Sequence, residues 1–369
     1  MEFRTLPDLA VRSLGGSVVY ANDELFAERE NLINPGPAQY QTSTFGHKGQ
    51  VYDGWETRRR RESGHDEAIV RLGAAGIIRG VIVDTAWFKG NYPPEVSVEA
   101  ACVEGYPSPD ELRAEADWQL VVPRSAVKGD TENPFEVHSD RRWTHVRLSI
   151  YPDGGVARLR VHGEVIADPA LLGGIGAVDL AALDNGALVA SCSNMFYSSP
   201  NNLISPGLSR TMGEGWETAR RRDNGNDWVC VRLAGEGIAQ LLELDTSYFV
   251  GNAPGWASVR GCLAAGSVSG SVSDSVSGSV SSSVSGSVSG SDWADGGAGL
   301  ESVDWIELLP RTRLQPDTRH RFPLRSEQPI SHIRLDIYPD GGMARLRLLG
   351  QLTESGIARA RQRWQSAGG

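Results

Sequence analysis

Cysteine is sparse in this chain of 369 residues, limited to Cys102, Cys192, Cys230 and Cys262. The four form no CxxC pair, so neither a thiolate zinc site nor a small disulfide framework is supported, and they read as reduced thiols of a cytoplasmic protein. Long apolar runs are missing too. No stretch reaches the about 18 apolar residues of a membrane span. The start, Met1-Glu2-Phe3-Arg4, lacks the apolar core of a secretory signal. An excess of positive charge is absent: the formal net charge is −10, which argues against a nucleic-acid partner. Helical periodicity is scarce, confined to residues 108–116 and to 357–365, which form a short helix or stay loose. The fingerprints GxSxG, P-loop, GxGxxG and HExxH do not occur. No spaced His/Asp/Cys set marks a metal site, though the sequence leaves assistance by a divalent ion open.

What the chain does have is a duplication. Gly54-Trp55-Glu56-Thr57-Arg58-Arg59-Arg60-Arg61 returns as Gly215-Trp216-Glu217-Thr218-Ala219-Arg220-Arg221-Arg222, 161 residues on. The same offset carries Gly64-His65-Asp66 onto Gly225-Asn226-Asp227, Asp84-Thr85 onto Asp245-Thr246, and Gly90-Asn91 onto Gly251-Asn252. Tyr151-Pro152-Asp153-Gly154-Gly155 recurs 187 residues on, as Tyr338-Pro339-Asp340-Gly341-Gly342. The added residues belong to a Ser/Val/Gly tract at 267–291, low in complexity and expected to be a flexible loop. Upstream, Asn31-Leu32-Ile33 and Asn202-Leu203-Ile204 lie 171 apart. The first copy therefore carries extra residues before Trp55, among them His47.

Within each copy the period is two. Val146, Leu148 and Ile150 face one way, and after the turn at 152–155 Ala157, Leu159 and Val161 continue that face. Pro, Asp and Gly in this order predict a hairpin. Residues 333–348 repeat the pattern. Residues 77–84 and 241–245 read as strands buried on both sides. Many short strands and little helix predict an all-β chain of two β-sandwiches. The expected boundaries are a first sandwich at 1–165, a joining segment at 166–186, a second sandwich at 187–352, and a tail at 353–369.

The loops at sandwich ends carry ligand sites, so the polar motifs above are the candidates. Arginine forks carboxylates with two N–H donors and never loses its charge, which singles out Arg58, Arg60 and Arg221. Along an extended chain only alternate arginines reach one site, and the alternative is a solvated basic edge. Glu56 and Glu217 are either acids of the site or partners of the neighbouring arginines. Asp84 and Asp245 end apolar strands, where a carboxylate needs partners. His65 can exchange protons near neutral pH, and Asn226 replaces it in the second copy. Asp66, Asn91, Asn252 and Trp55 complete the candidate set. His145 and His332 sit on strands and read as structural.

These strings resemble the allantoicase family. The likeness rests on Asp53 through Arg61, Gly64-His65-Asp66, Val83-Asp84-Thr85 with Phe88-Lys89-Gly90-Asn91, and the Asp-Gly-Gly turns, and it spans both copies. Where the family pattern has Trp after Gly-His-Asp, this chain has Glu67, while Trp228 keeps that place in the second copy. The resemblance implies tandem jelly-roll sandwiches of the galactose-binding type, a homo-oligomer, and hydrolysis of allantoate to ureidoglycolate and urea in purine breakdown. The substrate fits the residues. Its carboxylate calls for Arg, its ureido N–H groups for Asp or Glu, and its ureido carbonyls for Arg or Asn. The expected roles are proton transfer by His65 with Glu56, Asp66 or Asp84. Substrate binding falls to Arg58, Arg60, Asn91 and Trp55, with Glu217, Arg221, Asp245 and Asn252 from the second copy. No cofactor is required. The competing expectation is a non-catalytic tandem jelly-roll module that binds a sugar or another small polar ligand.

Overall fold

A computed structural model describes residues 3–40, 44–46, 49–50, 52–264 and 304–368. The tract at 267–291 and His47 lie outside the described residues. The fold is all-β and doubled, as the period-two pattern predicts, and divides into two compact units, Met1–Ala167 with Arg363–Gly369, and Asp168–Gln362.

In the first unit the strands are β1 (Ser17–Ala21), the small pair β2 (Phe45–Gly46) and β3 (Gly49–Gln50), β4 (Trp55–Glu56), β5 (Asp66–Asp84), β6 (Glu95–Ala101), β7 (Gln119–Ala126), β8 (Glu132–Glu136), β9 (Arg142–Tyr151), β10 (Gly155–Val156) and β11 (Arg158–Val165). The organising element is β5, 19 residues long. Its first part pairs antiparallel with β1 and β9, and its last part with β8 and β11. A shift of register between Arg71 and Gly76 marks the passage from one set of neighbours to the other. One strand thus serves both layers of the sandwich, with β6 and β7 extending the layer beyond β9.

The predicted hairpin at 152–155 is corrected by this pairing. Strands β9 and β11 do not pair with each other; each pairs with a different part of β5, and the turn carries the chain from one layer to the other. The sequence pattern is blind to the difference, because both layers send alternate residues into one shared core. Val146, Leu148, Ile150, Leu159 and Val161 are all fully buried in it. Glycine is required at the crossing. Gly154 has φ of 143°, and a Cβ on Gly155 would fall 2.1 Å from the Phe88 ring. A short helix, α1 (Pro109–Glu115), opens with a capping box between Ser108 and Glu111, as the pattern at 108–116 predicts.

The second unit repeats the plan with α2 (Pro169–Gly174), β12 (Val178–Asp179), β13 (Leu188–Cys192), β14 (Trp216–Glu217), β15 (Asp227–Asp245), β16 (Trp256–Cys262), β17 (Ile306–Arg313), β18 (Arg319–Pro323), β19 (Ile330–Tyr338), β20 (Gly342–Met343) and β21 (Arg345–Leu352), and the helix α3 (Glu354–Ser366) begins in it. Strand β15, again 19 residues, pairs with β13 and β19 at one end and with β18 and β21 at the other. The residues that follow 362 belong to the first unit. There the Arg142 N–H donates to the Ala367 carbonyl at 2.9 Å, the Arg142 guanidinium lies 3.7 Å from the Trp364 ring centre, and Ala367 packs with Ile77 and Ile166.

Candidate active site

In the first unit the polar motifs hang on the crossing turn at 151–155. Strand β4 pairs with β10, which sets Glu56 opposite Gly155. The Gly155 N–H donates to the Asn91 carbonyl at 2.7 Å, and the Thr57 N–H to the Gly154 carbonyl at 3.2 Å. The Arg60 N–H donates to Asp153 Oδ2 at 2.8 Å, and the His65 ring lies 5.0 Å from that of Tyr151. Asp66, first residue of β5, sits opposite Ile150. Glu56, Asn91, Arg60, His65 and Asp66 are therefore gathered around one turn.

Their side chains make two linked sets. Asn91 Nδ2 donates to Glu56 Oε1 at 2.6 Å. Glu56 is buried, its Oε2 has no partner, and burial pushes its carboxyl above the usual carboxylate range against the pull of the Asn91 bond. Beside it, Arg60 Nη1 donates to Asp66 Oδ1 at 2.6 Å, and Asn22 Nδ2 donates to the same oxygen at 2.8 Å. Asp66 is 1 % exposed, and its Oδ2 has no partner, nor does the buried Nε of Arg60. Three buried polar atoms without partners, on Glu56, Arg60 and Asp66 around the one turn, are the mark of a site that expects a polar ligand or water. His65 is exposed, with its Nε2 3.9 Å from Glu67 Oε2. Glu67 itself accepts from Arg113 Nε at 3.2 Å, while Trp228, which holds the matching place in the second unit, lies under the Arg334 guanidinium.

Other candidates are placed elsewhere. Arg58 is exposed and bound to Asp23, through its N–H at 2.9 Å and its Nε at 2.5 Å. Trp55 is fully buried and donates its indole N–H to the Asp23 carbonyl at 2.7 Å, so it is a core residue rather than a ligand platform. Asp84 uses Oδ1 to accept the Ala86 N–H at 2.8 Å, bracing the turn that begins there; burial raises its carboxyl above the usual range. Asp245 does the same with Ser247, whose N–H and hydroxyl donate at 2.8 and 2.6 Å.

The second unit copies the frame. Asn252 Nδ2 donates to Glu217 Oε1 at 2.6 Å, and Arg221 Nη1 to Asp227 Oδ1 at 2.8 Å, with the Arg221 N–H on Asp340 Oδ2 at 2.8 Å. Asp227 Oδ2 again lacks a partner. Ser193 replaces Asn22, its hydroxyl donating to Asp227 Oδ1 at 2.8 Å.

Asn22 was missed in the sequence reading. The 171-residue offset that aligns Asn31 with Asn202 also aligns Asn22-Asp23 with Ser193-Asn194, and this was the available signal. His145 and His332 are buried beside Thr144 and Ser331, and burial holds each down to about 4. Among the described residues no group of three or more His, Cys, Asp or Glu is placed to hold a metal ion. All four cysteines are free.

A doubled β-sandwich with one Arg/Asp and Glu/Asn cradle per repeat defines a class of tandem-repeat proteins, and comparison with known proteins identifies which. The allantoicase repeat matches residues 7–166 and 178–353. A probable allantoicase of Nocardia farcinica is 54 % identical over 352 residues, covering 95 % of each chain. One from Streptomyces coelicolor is 50 % identical over 380 residues, covering 100 % of this chain and 92 % of its own. The crystal structure of allantoicase from Saccharomyces cerevisiae superposes with a TM-score of 0.73 at 32 % identity, covering 95 % of this chain and 96 % of that one. The chain belongs to the allantoicase family.

Proposed function

We propose that the protein hydrolyses allantoate to ureidoglycolate and urea. The observation that carries this reading is the match to allantoicases along nearly the whole of both chains. In the reaction one C–N bond of the central carbon breaks, a C–O bond forms from water, and the departing ureido nitrogen gains a proton to leave as urea. Glu56 suits the proton donor: a buried carboxyl with a raised pKa stays protonated where an ordinary one has ionised. His65 suits the base that takes the proton of the incoming water. Arg60 would receive the substrate carboxylate, and Asp66 Oδ2 a ureido N–H. Asn91 positions Glu56 by donating an amide N–H to its Oε1. Asp84 and Asp245 brace turns, and Glu217, Arg221 and Asn252 belong to the second unit's own cradle.

The reaction neither oxidises nor reduces, so no redox cofactor is called for, and urea release measured with and without EDTA tests whether a divalent ion assists. A cytoplasmic location agrees with the four free thiols. Self-association into a homo-oligomer is carried over from the family likeness, and sedimentation of the purified chain tests it. Urea release from allantoate by the pure protein tests the function. Absence of urea together with binding of simple glycans would replace hydrolysis by sugar recognition.

A further inference from the structure

Arg60 and Arg221 share a backbone anchor and reach a buried aspartate with the same nitrogen, yet their remaining edges differ. The Nε–Nη2 edge of Arg221 is forked by Asp223, with Nε 3.0 Å from Oδ1 and Nη2 3.1 Å from Oδ2. That is the two-pronged geometry in which a guanidinium takes any carboxylate. On Arg60 the same edge has no partner among the described residues, and its Nε is buried. The residue matching Asp223 there is Glu62, one methylene longer, exposed and joined to no described residue. The walls of the two slots agree. A Cβ on Gly64 would fall 2.8 Å from Arg60 Nη2, and one on Gly225 2.7 Å from Arg221 Nη2.

We infer that Asp223 is a built-in occupant of a carboxylate-binding slot in the second unit, and that the unpaired edge of Arg60 takes a ligand carboxylate in the same two-pronged way in the first. Asp223 is held for the purpose: its Oδ1 also accepts the Gly225 N–H at 2.8 Å. The Gly225 N–H first and Arg221 second hold its carboxyl below the usual range, so it stays ionised as a free carboxylate ligand would. Each chain then binds one ureido carboxylate through an arginine edge, and the second slot is closed by the protein itself. This rests on the proposed function only for the class of ligand.

Hydantoate, a carboxylate with a single ureido group, is the probe, titrated calorimetrically into the full chain. The wild type is expected to bind one per chain, Arg60→Ala none and Asp223→Ala two. The double variant Asp223→Ala, Arg221→Ala returns to one. Asp223 is exposed, so its loss spares the core; Asp223→Asn, which keeps an acceptor for Gly225 but drops the charge, is the second variant and is expected to bind a second, weaker equivalent. A wild type that binds none or two, an Arg60→Ala variant that still binds, or Asp223 variants that stay at one overturn the inference. Urea release from allantoate is recorded on the same wild-type sample. A count that moves from one to two without urea strikes only the hydrolytic reading. Urea with an unmoved count strikes only this inference.

Discussion

The two repeats keep the same hydrogen bonds and differ in what is left over. In both, an asparagine amide holds a glutamate at 2.6 Å and an arginine holds a buried aspartate. In the first, Glu56 is 8 % exposed, His65 precedes the buried Asp66, and the second edge of Arg60 is unpaired. In the second, Glu217 is half-buried, Asn226 replaces the histidine and donates to Asp336 Oδ1 at 3.0 Å, and Asp223 closes the arginine. Duplication has preserved the contacts that shape the crossing turn and let the groups around them diverge. On the proposed function, a frame copied intact around altered side chains is what a chain with its chemistry in the first repeat and a scaffold in the second would show.

The strongest way to break that contrast is to treat the two glutamates alike. Glu56→Gln should lower kcat for urea release by about 100-fold or more, the range of a lost general acid. Glu217→Gln should change it by less than about threefold. With Glu56 in its proposed role of proton donor, wild-type activity should fall as pH rises through its raised pKa, and that limb should vanish in Glu56→Gln. Equal losses in both variants would end the assignment to one repeat.

A feature the repeats share sharpens the contrast from the other side. Burial first, and the like charge of Arg71 at one and Arg232 at the other second, keep His145 and His332 neutral in the folded chain down to about 4, with Glu104 opposing at His145. The unfolded chain takes up these protons near 6.5, so it binds more protons than the folded one between those values. Stability is therefore complete above about 6.5 and lost as pH falls toward about 4. Each histidine accounts for about 3 kcal/mol of that loss. Thermal melts of His145→Gln and His332→Gln should flatten it by similar amounts, unlike the glutamate pair.

Smaller effects follow. Arg60→Ala should raise KM for allantoate about tenfold to a hundredfold, the cost of a charged hydrogen bond, and Arg221→Ala less than about threefold. Exchanging the aspartate supports is the mildest change. Asn22→Ser, which copies the second repeat, should reduce kcat/KM about threefold, while Ser193→Asn should leave it within error. Steady-state kinetics on the four variants settles both pairs.

The duplication and the all-β class were open to reading because repeated strings and period two are local. Alternation along the chain singles out Arg58 and Arg60 together, and it takes the fold to put Arg60 on the crossing turn and Arg58 on Asp23. Partners distant in sequence were not readable. Nothing near Glu56 foretells Asn91, and nothing near Asp66 foretells Asn22, because β5 and the crossing turn bring them together from across the fold. The hairpin at 152–155 was misread for a related reason: alternation reports which face is buried, not which strand lies alongside. Trp55 entered the substrate-binding set because an aromatic in a polar string carries no sign of its depth.

The return of residues after 362 to the first unit has a consequence for how the chain matures. Arg363 reaches Glu164 across 199 positions of sequence, and Ala367 and Trp364 cover Arg142 and Ile77. During synthesis the earlier-made half emerges with that surface bare and waits for the later-made half to be translated before it is sealed. A nascent chain released before residue 363 would expose an apolar seam on an otherwise finished sandwich, where chaperones and proteases find their substrates.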